Sequence, residues 1–168
     1  QRLVGVLAEQ AHPEALDAAC RELIALGPPV AVALGVMALE QHIPLPPAVY
    51  ERVLPAVSPQ FAILAQLADQ DNALRRAAAA ELVDLIRREP LTALALARLA
   101  ELTQLETDPE VWRDVLVAVA DDPREAAAQI ALAALQHSLA EIRRRGCEYL
   151  AQHPDRRYAP ALLAAVGD

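Results

Sequence analysis

The chain of 168 residues has no lysine; all 15 of its basic residues are arginine. Because the two residues serve equally well at most exposed sites, this reads as a genome-composition bias. Aromatic residues make up 3% of the chain, and glycine occupies only five positions. So few rings argue against a core built around one large cavity and suit closely packed helices. No stretch alternates apolar and polar residues through β-branched and aromatic positions, so strands are not expected. Cys-x-x-Cys and His-x-x-x-His spacings are missing, and His12, His42, His137 and His153 fall in separate turns or helix ends, so no metal site is expected. A Gly-rich phosphate loop and a Gly-x-Ser-x-Gly elbow are missing as well. The sequence thus assigns no catalytic residue, no cofactor and no metal, and favours binding over catalysis.

The longest apolar run, Pro28 to Leu39, is shorter than the roughly 20 residues that cross a bilayer. No signal peptide is visible, and no membrane partner is expected. The chain opens at Gln1 without a methionine, which suggests an excerpt of a longer protein. Its formal net charge of -8 and pI near 5.0 disfavour a nucleic-acid partner, because phosphate binding needs a local excess of positive charge. Cys20 and Cys147 fall in the first and last helix pairs inferred below. In a linear stack they are too remote to bridge, since a disulfide needs Cα atoms within about 7 Å. Both are expected to be buried free thiols in a reducing, cytoplasmic compartment.

What the chain does have is leucine, alanine and regularly placed proline. Ser58-Pro59, Asp108-Pro109 and Asp122-Pro123 each put a capping residue before a proline, the arrangement of a helix start. Pro13, Pro28-Pro29, Pro46-Pro47 and Pro90 mark further starts with weaker caps, and Pro160 fits the first turn of the last helix. Pro55 should end or kink the helix that begins near Pro46. The marks predict a leading helix over 2–10 and five pairs: 13–26 with 28–41, 46–56 with 59–69, 72–88 with 90–105, 109–120 with 123–136, and 139–151 with 157–167. In the last pair Leu139, Ile142, Gly146 and Leu150 share one face, and Tyr158, Leu162, Ala165 and Val166 share another. Neither helix can bury its stripe alone, so the pairs should stack on one another.

Leu74-Arg75, Trp112-Arg113 and Ile142-Arg143 occupy matching places in three of the first helices, each behind an acidic residue. The last pair, EIRRRGCEYLAQHPDRRYAPALLAAVGD, resembles a HEAT repeat: an acidic-aliphatic-Arg opening, a small residue and Leu, a turn, then Pro-x-Leu-Leu before a closing Asp. The resemblance covers the last 98 residues moderately and the rest by periodicity. It implies an all-α fold, a right-handed α-solenoid of stacked antiparallel pairs forming a single repeat domain over 1–168. It also implies a concave face lined by the second helices. On that face Gln66, Asp69, Arg98, Glu101, Gln129 and Gln136 are the candidates for contact with a protein or peptide partner. Such a chain would act as an interaction scaffold. Bacterial enzymes with similar repeats, the bilin lyases and a DNA glycosylase family, supply the alternative. The HEAT-like deoxyhypusine hydroxylases bind iron through His-Glu dipeptides, and none occurs here.

Three local features admit opposed readings. The apolar segment PPVAVALGVMALEQ is either buried on several sides or leaves an open patch. Trp112 is expected to fill the space between neighbouring pairs rather than anchor a partner. Arg143, Arg144 and Arg145 point about 100° apart and cannot all face one phosphate backbone. Glu141 and Glu148 can pair with two of them instead.

Overall fold

A computed structural model describes residues 13–166, with side chains from 14 to 164, and every regular element among them is helical. The helix expected over 2–10 lies outside the described residues. The contacts divide the described residues into two compact units, one of residues 13–66 with 92–95, the other of 67–91 with 96–166.

The first unit begins with α1 (Pro13–Ala25) and α2 (Pro29–Leu39). Gly27 ends α1 in the left-handed region at φ 71°, where a Cβ would be strained, and donates its N–H to the Ile24 carbonyl. On α2, Val30, Leu34 and Met37 are buried one turn apart, while Val32 is 71% exposed and Val36 and Leu39 are also exposed. The helix that reads as apolar all round therefore buries one stripe and presents another. A wide π-helical turn (Val49–Val53) then leads into α3 (Leu54–Val57), and the Leu54 N–H reaches back five residues to the Val49 carbonyl. This is how the chain continues past Pro55. The ring has no N–H to give and would meet the carbonyl four residues back, on Glu51, and the wider turn relieves both problems. The expected break is thus a bulge. α1 packs on the wide turn and α2 on α3. Cys20, Leu34, Val49, Val53 and Leu54 form the centre of this unit.

α4 (Pro59–Leu67) ends two residues before the predicted limit. The next helices are α5 (Asn72–Ile86), α6 (Ala93–Thr103), α7 (Pro109–Val119), α8 (Glu125–Ala134) and α9 (Ala140–Gln152). A 3-10 turn (Arg156–Tyr158) and α10 (Ala159–Val166) follow. Asp71 and Asp108 cap α5 and α7 through bonds of 2.8 Å from Ala73 N–H and 2.9 Å from Glu110 N–H. Two predicted starts are displaced. α6 begins beyond Pro90, where the Thr92 hydroxyl accepts the Ala95 N–H at 3.2 Å. α8 begins beyond Pro123, because Asp122 takes the Arg124 N–H at 3.0 Å and forms a turn ahead of the helix. Leu139 is the N-cap of α9 and 43% exposed, so only Ile142, Gly146 and Leu150 of the predicted stripe are buried, joined by Tyr149. Tyr158, in the 3-10 turn, and Leu162, in α10, are half-buried, and the side chains of Ala165 and Val166 lie outside the described residues.

In the second unit α5 packs along α7, α7 along α9, and α8 against α9. Side chains bridge these elements at a recurring sequence offset. Arg75 pairs with Glu106 at 2.9 Å, 31 residues on, and Arg76 with Asp108 at 2.8 Å, 32 residues on. Arg113 pairs with Glu141 at 2.9 Å, 28 residues on. His153 Nε2 lies 3.1 Å from the Ala120 carbonyl, at an offset of 33. Arg75 and Arg143 also perform the same local task. Each donates Nη1 to the carbonyls six and five residues back, Asp69 and Gln70 for one, His137 and Ser138 for the other. The matching places read in the sequence are equivalent in these two helices.

These caps carry a pH dependence. Burial works against the charge on Asp108, but the Arg76 guanidinium and the Glu110 N–H outweigh it and hold the carboxyl below its ordinary value. The bond from Arg124 does the same for Asp122. A carboxyl depressed in the folded state adds stability above its unfolded pKa and loses it as pH falls through the folded one. Urea midpoints are therefore expected to be level near neutrality and to fall below about pH 4. In Asp108→Asn that fall should be shallower. An acid limb of parental slope in the variant would refute the assignment.

Both cysteines are free. Cys20 is 1% exposed, whereas Cys147 is only half-buried, which corrects the expectation for the second thiol. Cys147 follows Gly146 in α9 and so stands about 100° round the helix from the buried face. A chromogenic disulfide reagent should modify Cys147 first in native buffer and both thiols in denaturant. Equal native rates would contradict this arrangement.

Candidate interaction surface

α6 turns Leu96, Leu99, Ala100 and Thr103 inward and leaves Ala97, Arg98 and Glu101 toward solvent. α8 buries Ala127, Ala128, Ile130, Ala131 and Ala134 and leaves Gln129 exposed. Between the outer faces runs a groove of about 630 Å³. Its floor is Ala97, Ala100, Leu132 and Ala133, and its polar lining is Glu101, Gln104, Gln129 and Gln136. Small floor residues keep the groove open, and a carboxamide both donates and accepts, which suits a main chain. Arg98 Nη1 donates to Glu101 at 2.7 Å, so the charges at this edge balance. A neighbouring cavity of about 370 Å³ shares Gln104, Ala133 and Gln136 and extends to Thr107, Trp112 and His137.

Three of the six predicted residues, Glu101, Gln129 and Gln136, line the groove, and Arg98 is ion-paired to the first. The other two are not among the groove's lining residues. Asp69 lies beyond the end of α4, in a turn, where its carboxylate accepts the Asp71 N–H at 2.9 Å. Gln66 is exposed and belongs to the first compact unit. Gln104 also lines the groove and was not among the six, although it lies within the helix predicted over 90–105. Its spacing of three from Glu101 continues the same face and could have flagged it.

Trp112 is buried, as its space-filling reading requires, and its indole N–H donates to the Glu106 carbonyl at 3.0 Å. Arg144 approaches Glu148 at 3.6 Å and Arg145 approaches Glu141 at 3.8 Å, the pairings expected from spacing. At the far end of the unit, desolvation and the nearby Asp122 charge push the Tyr149 hydroxyl up to about 12, and this phenol donates to the Asp122 carbonyl.

Among the described residues the protein is thus all-helical, with no single helix long and apolar enough to cross a membrane. No family model, curated protein or solved structure matches it.

Proposed function

We propose that the chain is part of a HEAT-like α-solenoid, a right-handed superhelix of antiparallel pairs, and that it serves as a protein-interaction scaffold. The offset of 28 to 33 residues that recurs among its bridging side chains supports the repeat. The observation that carries the binding role is the convergence of Glu101, Gln104, Gln129 and Gln136 over an alanine-rich floor. Such a groove fits an extended polypeptide held by main-chain hydrogen bonds to carboxamides. The test is a selection of random linear peptides on the chain, with binders re-measured on a Gln129→Arg/Gln136→Arg variant. Binders should lose at least about tenfold in affinity on the variant. Recovering none, or binders indifferent to the double substitution, sinks the proposal.

The arginines argue against a nucleic-acid role. Arg75, Arg76, Arg113, Arg124 and Arg157 are each ion-paired to a carboxylate, and Arg143 is committed to two carbonyls. Tight duplex binding needs several free cations along one strand path. Fluorescence anisotropy at ~150 mM salt should therefore show weak binding of random duplex DNA or none. Sub-micromolar binding would revive the glycosylase alternative.

A further inference from the structure

A second cleft, of about 570 Å³, opens where the ends of α5 and α7 face the turn before α8. Its floor is aliphatic: Ile86, Leu91, Val117 and Ala118, with Val117 44% exposed. An exposed valine beside a half-exposed isoleucine in a concave setting is apolar surface that a side chain can fill. The polar rim is Asp121, Asp122 and Arg124. Arg124 is fully engaged, bonding the Asp122 carboxylate and donating at 2.8 Å to the Leu91 carbonyl. Beyond Ile86, Arg87 is paired with the Asp84 carboxylate and Arg88 donates to the Asp84 carbonyl, and neither arginine lines the cleft. The Asp121 carboxylate is exposed and has no hydrogen-bond or ion-pair partner among the described residues. The rim therefore presents one uncompensated negative charge above an aliphatic floor.

We propose that this cleft is a docking site for a partner segment carrying an aliphatic side chain next to an arginine or lysine. The aliphatic group displaces water from Val117 and Ile86, and the cation meets Asp121. The charge supplies selectivity rather than most of the affinity, because the carboxylate is a solvated rim group. The site is separate from the α6/α8 groove and does not depend on it.

The probes are two pools of acetylated hexapeptides, one with a fixed Leu-Arg core and one with a fixed Leu-Glu core, the flanks drawn from Gly, Ser and Ala. Each is titrated into the 15N-labelled chain. The Leu-Arg pool should shift the amides of Ile86, Val117, Ala118 and Asp121 and bind at least about threefold tighter than the Leu-Glu pool. Asp121→Asn, an exposed change that leaves the fold intact, should erase that preference. Val117→Glu should remove the shifts from both pools. Gln129→Arg should leave all of this unchanged, so that failure here and failure of the α6/α8 groove are distinguishable. Shifts absent from those amides, equal affinity of the two pools, or a preference that survives Asp121→Asn would overturn the proposal.

Discussion

Replacing Gly146 with leucine is expected to lower the stability of the protein by about 3 kcal/mol, the upper end for overpacking. α9 crosses α8 so closely that a Cβ on Gly146 would stand 2.7 Å from the Ala131 carbonyl oxygen, 3.1 Å from the Ala134 Cβ and 3.3 Å from the Leu135 Cδ2. The nearest of these atoms belongs to the backbone of a packed helix, so relief requires moving one helix against another. Even Gly146→Ala should therefore destabilise, by about 1 kcal/mol, after alanine's helix-propensity advantage of about 1 kcal/mol is counted. From the sequence alone alanine is expected to be milder than leucine, and stabilising if a methyl group fits, because the width of the gap is invisible there. Urea melts of both variants and the parent provide the measurement. If Gly146→Ala were as stable as the parent, α8 and α9 would not be in the contact described.

The same helix shows what the sequence could and could not disclose. Ile142, Gly146 and Leu150 are legible as a buried stripe because their spacing needs only the helical period. Leu139 obeys the same spacing yet is exposed, because the helix begins after it and a capping residue does not share the helix face. α2 begins at Pro29 with no side-chain cap, but proline marks a start sharply where the residue before it caps. Asp108 does so for α7, whereas Asp122 spends its carboxylate on Arg124 and the helix waits until Glu125. Pro90 is superseded by Thr92 for the same reason. Pro55 could be read as a defect, but its remedy depends on a five-residue hydrogen bond that no local pattern announces.

The candidate surface was legible to the extent that it follows from helix phase. Glu101, Gln129 and Gln136 are outward positions of α6 and α8, or just beyond them, and the packing brings those faces to one groove. Asp69 is not among the residues lining that groove, because α4 stops at Leu67 and the chain has already turned. The cleft over Val117 went unread for a different reason. Its walls come from residues 86 to 124, and only the packing of α5 with α7 makes them neighbours.

Removing the indole of Trp112 is expected to cost about 3–5 kcal/mol, the range for a large buried side chain cut to alanine. The residue is 2% exposed, on the inner face of α7. Its N–H holds the Glu106 carbonyl at 3.0 Å, in the turn before its own helix. The carboxylate of that glutamate accepts the Thr107 and Asp108 N–H groups at 2.8 and 2.7 Å and the Arg75 guanidinium at 2.9 Å. The indole also packs edge-on with the His137 ring, their centroids 6.0 Å apart. His137 in turn accepts the Leu139 N–H at 3.1 Å and reaches the Thr107 carbonyl at 3.4 Å. One side chain thus braces the turns that precede α7 and α9. Trp112→Phe separates volume from hydrogen bonding, since it keeps most of the packing and leaves the Glu106 carbonyl without its donor. That variant should lose about 1–3 kcal/mol. Trp112→Ala and His137→Ala should also be non-additive, because contacting residues couple by about 0.5–3 kcal/mol. Unfolding is followed by circular dichroism, as the substitutions remove the only tryptophan fluorophore. A loss below about 1 kcal/mol for Trp112→Ala, or strict additivity with His137→Ala, would mean that the two turns hold their positions without the indole between them.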